Sequence, residues 1–174
     1  MDVTQLVAQA AETMAIAKFA TLSTQSGDGS ISSRLVYPTP PTAEGESPHL
    51  HFVHLGTNKG SRKFKEIAGN PQATLLYFDQ EGFGVVTLKG TIIVCDEEEA
   101  TARFQADWKR NYPEGSKTDF YSLLRFEVLH MEFISYKRFN VDEGNLRPQD
   151  WRPLTLARQS GSAWEYVAPA NASL

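Results

Sequence analysis

The chain has almost no cysteine and no long apolar run. Cys95 is the one cysteine in 174 residues, so no intramolecular disulfide can form and nothing in the sequence requires an oxidising compartment. No apolar stretch approaches the roughly 18 residues of a membrane-spanning helix. The first residues lack the basic segment that begins a secretory signal. These absences predict a cytoplasmic protein.

Positive charge is also scarce. The chain has 17 Lys and Arg against 21 Asp and Glu, which gives a net charge of −4. General nucleic-acid binders usually carry a basic excess, so this balance argues against that class but still permits a local basic pocket. Hydrophobic residues make up 41% of the chain and charged residues 22%, which excludes disorder by composition. We therefore expect a single folded domain over residues 1–174.

Hydrophobic periodicity predicts many short strands and few helices. Helices are predicted at 1–18, 61–68 and from Asp96 to about Arg110, with a further helical turn at 119–123. Strands are predicted at 19–24, 31–37, 50–55, 73–78, 83–94 (with Gly90 as a bulge or bend) and 125–135. The proline-rich residues 38–48 are expected to form a surface loop, and a C-terminal extension over 137–174 holds possible edge strands at 154–156 and 164–167. Because hairpins dominate this order, the pattern favours a mostly antiparallel β-barrel with peripheral helices.

The start of the second helix breaks a local rule. Four cations fall within residues 59–65, and two of them, Arg62 and Lys63, stand in the first turn. Cations there oppose the helix dipole at a cost of about 0.3–1 kcal/mol each. A bound dianion would resolve the conflict, because free N–H groups, the hydroxyls of Thr57 and Ser61 and two cations converge there. The alternative, a solvated basic helix surface, is common.

Arg34 lies in the middle of the predicted strand 31–37, which has apolar residues on its other side. An arginine in the middle of a strand is more often a solvated edge residue. If the strands form a barrel, however, this strand lies near the start of the second helix. Arg34 would then be a third cation on the same anion.

Two segments together resemble the flavin-binding signature of a known family. Residues 33–36 (Ser-Arg-Leu-Val) and 57–63 (Thr-Asn-Lys-Gly-Ser-Arg-Lys) are similar to those of the pyridoxamine 5′-phosphate oxidase-like, FMN-binding split-barrel family. Residues 70–75 and 85–90 resemble its next strands, and Trp108 with residues 112–115 resembles its general-stress-protein branch. The resemblance implies a mainly β fold, a six-stranded antiparallel split β-barrel. It also implies a homodimer with FMN in clefts between the subunits.

Carried over position by position, the resemblance implies a cofactor site. The family's strand arginine reaches FMN, the two residues after it line the flavin, and the Ser-Arg-Lys triplet binds the phosphate. A later arginine, matched here by Arg152, comes from the other subunit in the family. The residues so assigned to FMN are Arg34, Leu35, Val36, Thr57, Asn58, Ser61, Arg62, Lys63 and Arg152.

Departures from the oxidases concern the substrate side. Thr39 stands where the oxidases have a lysine for the substrate phosphate, and Val85 where a glutamine often contacts the flavin. The oxidases' Tyr-Arg-Ser set is not reproduced near Arg103 and Asp107, and residues 145–152 lack the histidine of their Arg-x-His motif. We expect the FMN phosphate site to be kept and the vitamin B6 phosphate site to be lost.

The expected function is an FMN-dependent oxidoreductase acting on an unknown small molecule, with no catalytic residue identified. The alternatives are a non-catalytic flavin-binding stress or sensor protein and a retained pyridoxamine 5′-phosphate oxidase. His49 and His51 share a strand face, but no nearby Cys or acid completes a ligand set, so no metal site is predicted. Cys95 is interpreted as a buried, inert thiol. The side chains of Trp108, Tyr112, Trp151 and Trp164 are expected to pack in the core, with a dimer interface or contact with a flavin as the alternatives.

Overall fold

A computed structural model describes residues 2–43, 46, 49–136 and 153–167. The helices of this part are α1 (Val3–Ala17), α2 (Arg62–Gly69) and α3 (Glu97–Ala102), with a 3₁₀ helix at Ala106–Arg110. Its strands are β1 (Ala20–Gln25), β2 (Ile31–Val36), β3 (Phe52–Asn58), β4 (Gln72–Asp79), β5 (Gly84–Val94), β6 (Tyr121–Ser135), β7 (Leu154–Ala157) and β8 (Glu165–Tyr166). None of the described helices is long and apolar enough to cross a membrane.

One antiparallel sheet carries the fold, in the order β2-β1-β4-β5-β6-β7-β8. The long strand β6 pairs with β5 on one edge, and its other edge takes β3 at the beginning and β7 near the end. The described strands do not form a fully closed barrel. Instead of a full strand pairing, an isolated bridge between Pro38, just after β2, and Leu55 joins the β2 side to β3. The predicted fold class, mainly antiparallel β with a few helices, is confirmed. The six predicted barrel strands are β1 to β6, and the two predicted edge strands extend the sheet to eight.

Helix α1 packs its apolar side against β4 and β5. Its start is a capping box, in which the Asp2 carboxylate accepts from Gln5 N at 2.8 Å and Gln5 Oε1 accepts from Asp2 N at 3.1 Å. The helical spacing of its apolar residues creates the buried stripe Leu6, Val7, Ala10, Ala11 and Met14. This stripe joins the barrel core, whose largest members include Leu22, Tyr77, Leu88, Phe126 and Phe133.

The predicted long helix after Asp96 is wrong in its extent. Helix α3 ends at Ala102, and the chain is extended at Gln105 before the 3₁₀ helix begins. The rings of Phe104 and Trp108 pack on Tyr121, with centroids 5.2 and 6.1 Å away. Burying these aromatic rings outweighs the helical propensity of the segment, which is only a weak preference.

Two further predictions need correction. Residues 119–123 do not form a helical turn, because β6 already begins at Tyr121 and pairs with Asn58 of β3. The loop after β2 is not simply a surface loop, since Thr39 is buried and its N–H donates to His54 O at 2.9 Å. This hydrogen bond attaches the loop to β3 and helps bring the two sides of the barrel together.

Candidate functional site

The turn between β3 and α2 is shaped by Asn58. Its side-chain oxygen accepts from Gly60 N at 2.7 Å, and its carbonyl accepts from Ser61 N at 3.0 Å. Lys59 N donates to Phe120 O at 2.8 Å, which holds the turn against the chain entering β6. Asn58, predicted as a cofactor ligand, therefore also serves to place Ser61 at the first position before α2.

Two hydroxyls at this helix start have no hydrogen-bond partner in the described part of the chain. Ser61 occupies the N-cap of α2 with extended backbone, yet its side chain does not cap the helix. Its Oγ and the Oγ1 of Thr57 are both buried and unpartnered. A buried polar group left without a partner costs about 1–3 kcal/mol, so each hydroxyl is expected to have a partner such as water or a bound group. These two hydroxyls fit the phosphate of FMN, which would accept hydrogen bonds from both.

Lys63 adds a half-buried cation to the same helix start. Burial, and then the charge of Arg34, lower the pKa of its ammonium group. No carboxylate of the described residues pairs with Lys63, whereas Arg62 is largely exposed and its Nε lies 3.2 Å from Glu66 Oε1. A dianion beside Lys63 would offset both effects that disfavour its charge.

Arg34 contacts a carboxylate that the sequence analysis missed. Its guanidinium lies 2.5 Å from Glu66 Oε2 and donates to Thr24 Oγ1 at 2.5 Å. Glu66 also accepts from the hydroxyls of Thr24 at 2.6 Å and Ser26 at 2.9 Å. The Thr24 hydrogen bond, aided by Ser26 and Arg34, lowers the pKa of Glu66 to about 2 despite its burial. Glu66 is the one acidic residue in α2, four residues after Arg62, and that spacing was the available signal.

The structure therefore brings most of the predicted cofactor residues to one corner. Leu35 and Val36 follow Arg34 on β2, where Leu35 is 69% exposed and Val36 packs against the core. The charge of Arg34 acts on Lys63, which links β2 electrostatically to the start of α2. Arg152 lies outside the described residues. A cavity of about 460 Å³ bordered by β1, β4 and β5 includes Thr24, next to this corner.

The residues that depart from the oxidase pattern lie elsewhere or are buried. Thr39 is 2% exposed, so its side chain is closed off from any substrate in this conformation. Val85 lies on β5 between Phe78 and Ile134 of the neighbouring strands. Arg103 contacts Glu46 at 3.2 Å, and Asp107 accepts from Tyr37 OH at 3.3 Å. Residues 145–152 lie outside the described part of the chain.

The sheet defines a mainly antiparallel split-barrel protein, and the start of α2 is its cationic site. The chain belongs to the pyridoxamine 5′-phosphate oxidase family, whose sequence profile matches residues 6–135. No curated protein matches its sequence significantly.

Solved structures show the same fold at low identity. A Clostridium acetobutylicum protein related to general stress protein 26 of B. subtilis aligns with a TM-score of 0.66 and 19% identity, covering 79% of this chain and 92% of its own. PhzG from Burkholderia lata 383, in complex with tetrahydrophenazine-1-carboxylic acid, aligns at 0.65 and 18%, covering 95% and 88%. A pyridoxamine 5′-phosphate oxidase-related, FMN-binding protein from Nostoc punctiforme PCC 73102 aligns at 0.61 and 11%, covering 95% of both chains.

Proposed function

We propose that this protein binds FMN non-covalently, with the phosphate at the start of α2, and acts as an oxidoreductase on a small molecule. The observation that carries the proposal is the pair of buried, unpartnered hydroxyls of Thr57 and Ser61 beside the half-buried Lys63. Family membership and the FMN-binding neighbour support flavin rather than another phosphate compound.

The chain's own residues have distinct roles in this proposal. The hydroxyls of Thr57 and Ser61 and the free N–H groups at the start of α2 donate hydrogen bonds to phosphate oxygens. Arg62 and Lys63 supply positive charge, and binding turns Arg62 from its exposed contact with Glu66 toward the anion. The bound FMN supplies the redox chemistry, which no described side chain provides.

We further propose that the active form is a homodimer with the flavin at the subunit interface, as the family resemblance implies. Arg152 of the second subunit is then the remaining cofactor residue. The substrate is expected to lack the phosphate group of the B6 vitamers, because Thr39 carries no charge and is buried. The phosphate of a B6 vitamer would find no cation at this position to bind it.

The cofactor proposal is tested by titrating the purified protein with FMN and following quenching of flavin fluorescence. Replacing both Arg62→Ala and Lys63→Ala removes two charged contacts, worth about 1.5–3 kcal/mol each, so FMN affinity should fall about 100-fold or more. Lys65→Ala, which removes an exposed cation from the same helix, is the matched control and should change affinity little. Equal affinity of the double variant and the wild type would contradict the phosphate site.

Turnover separates an oxidoreductase from a flavin carrier. Mixing the FMN-loaded protein with NADH or NADPH without oxygen should bleach the flavin absorbance if the protein is an oxidoreductase that takes electrons from these donors. A stress or sensor protein without turnover would stay oxidised. Pyridoxamine 5′-phosphate should not be oxidised, and rapid oxidation would show that the substrate phosphate is bound by other residues.

A further inference from the structure

A second cluster of chemically active side chains lies where β3, the end of β5 and α3 meet. His54, Cys95 and Glu99 each present one potential ligand atom, and these three atoms lie within 4.8 Å of one another. His54 is 2% exposed, while Cys95 and Glu99 are half-buried. None of the three belongs to the residues assigned to FMN, so the proposed cofactor site does not explain why they converge.

The ring of His54 is oriented as in a metal-ligating histidine. Its Nδ1 lies 2.7 Å from Oε2 of Glu46, whose side chain is 3% exposed, and Arg103 holds the other oxygen of Glu46 at 3.2 Å. Metal-binding histidines almost always donate their second ring N–H to such an oriented carboxylate. The Glu46 contact therefore directs Nε2 of His54 toward Glu99, whose Oε1 lies 3.3 Å away.

The carboxylates around the cluster are already matched by guanidiniums, so the negative charge for a divalent cation has to come from Cys95. Arg125 contacts both oxygens of Glu99 at 3.1 and 3.2 Å, so two guanidiniums, from Arg103 and Arg125, balance the two carboxylates. A divalent ion bound with the Cys95 thiolate would add one net positive charge to this balanced set. Cys95 also lines a cavity of about 320 Å³.

We propose that His54 Nε2, Cys95 Sγ and a Glu99 carboxylate oxygen form a binding site for Zn²⁺ or a similar divalent ion. Nitrogen, thiolate and carboxylate ligands are the set that Zn²⁺ prefers, at bond lengths of about 2.0–2.3 Å. Four-coordinate geometry at these lengths requires ligand atoms about 3.5 Å apart, so small side-chain movements close the site. The fourth position would take water from the cavity beside Cys95. The alternative is that a proton shared between His54 and Glu99 takes the place of the metal ion.

The test uses the full-length protein, purified under reducing conditions and freed of metal with a chelator. Titration with Co²⁺ should give thiolate-to-cobalt charge-transfer absorbance that saturates at one equivalent and disappears when Zn²⁺ is added. Because Cys95 is the one cysteine of the sequence, this band can arise from no other residue. Absence of the band in the wild type would overturn the proposal and leave the proton as the occupant.

Two variants and a control sharpen the result. Cys95→Ser should abolish the band, and Glu46→Gln should lower Zn²⁺ affinity about 10–100-fold by removing the carboxylate that orients His54. The exposed His49→Gln should bind as the wild type does. Unchanged Zn²⁺ affinity in Cys95→Ser or Glu46→Gln would contradict the site.

If either variant fails to fold, the rate at which iodoacetamide alkylates Cys95 of the wild-type protein tests the metal site instead. Protection by Zn²⁺ supports the site, and equal rates with and without Zn²⁺ overturn it. The variant with both Arg62→Ala and Lys63→Ala should keep its metal affinity. The metal site is therefore tested independently of the flavin proposal.

Discussion

At the scale of single residues, Glu66 connects the two halves of the proposed cofactor corner. Its carboxylate accepts from β1 through Thr24, from the hairpin through Ser26 and from β2 through Arg34, while its backbone belongs to α2. This arrangement fixes the orientation of Arg34, and it also pairs the positive charge of Arg34 with the Glu66 carboxylate. The negative charge of Glu66 also relieves part of the repulsion among the cations at the start of α2.

We predict that Glu66→Gln destabilises the protein at neutral pH by about 1–3 kcal/mol, since it removes the charge from several hydrogen bonds. The folded-state pKa of Glu66, about 2, lies below its ordinary value of 4.5. Its contribution is therefore present in full above pH 4.5 and is lost as pH falls toward 2. Urea unfolding of both proteins at pH 7 and near pH 3 measures the difference, which should be smaller at the lower pH. A difference independent of pH would contradict the assigned role.

At the scale of elements, the pairing of β5 with β6 contains the irregularity predicted at Gly90. Lys89 pairs with His130 and Gly90 with Val128, so the extra residue, Leu129, lies on β6 opposite the glycine. Leu129 O then accepts from Arg158 N at 2.9 Å, which starts the turn after β7. The irregularity lies at the predicted position, but the bulged residue is on β6, and Gly90 is required because the β6 backbone approaches it too closely for a side chain.

Gly90→Ala should lower the free energy of unfolding by about 3 kcal/mol or more, because overpacking against backbone cannot be relieved by a side-chain rotation. A Cβ atom at residue 90 would lie 1.8 Å from the carbonyl oxygen of Glu127. Gly27→Ala is the matched control, since nothing lies within 4 Å of its added methyl group. Chemical denaturation of the three proteins makes the comparison, and two equally stable variants would show that the strands shift register without cost.

At the scale of the whole molecule, the C-terminal strands are attached to the barrel by two buried polar contacts. The guanidinium of Arg158 donates to Val128 O at 2.9 Å and reaches Glu127 at 3.3 Å. The Trp164 indole donates to His49 O at 2.7 Å while its ring joins the core. These contacts confirm the core prediction for Trp164 and show how β7 and β8 extend the sheet beyond the six strands of the barrel.

An exposed apolar surface on the outside of β2, β1 and β4 bears on the proposed dimer. Thr21 pairs with both Leu35 and Leu76, so these two leucines, 69% and 40% exposed, lie on one face of the sheet. Phe78, 50% exposed, lies two residues further along β4 on the same face. Contiguous exposed apolar surface of this kind is typical of protein interfaces.

We predict that replacing both Leu76→Lys and Phe78→Lys converts the proposed dimer to a monomer, because four desolvated lysine charges would meet at the interface. Light scattering coupled to size-exclusion chromatography measures the mass, and FMN affinity should fall in parallel if the flavin lies between subunits. Ile16→Lys, at an exposed apolar position on α1, is the control and should remain dimeric. A wild-type protein that is monomeric at micromolar concentration would contradict the proposal itself.

The order of the strands and the position of the cationic corner follow from short stretches of sequence. Alternation of apolar residues, the turn at residues 26–30 and the Gly-Asn-Pro stop after α2 act between near neighbours, so they can be interpreted locally. The likeness of residues 33–36 and 57–63 to a flavin signature points to the family from the sequence. Each of these signals is confined to a short stretch of chain.

The meeting of distant side chains follows from strand pairing and packing, not from any single segment. The Arg34–Glu66 pair joins positions 32 residues apart, and His54 meets Cys95 and Glu99 although it lies 41 and 45 residues before them in the chain. The end of α3 at Ala102 likewise depends on packing against Tyr121, which local propensity cannot anticipate. Contacts of this kind depend on how strands pair in the sheet, and the periodicity of one segment carries no information about its partners.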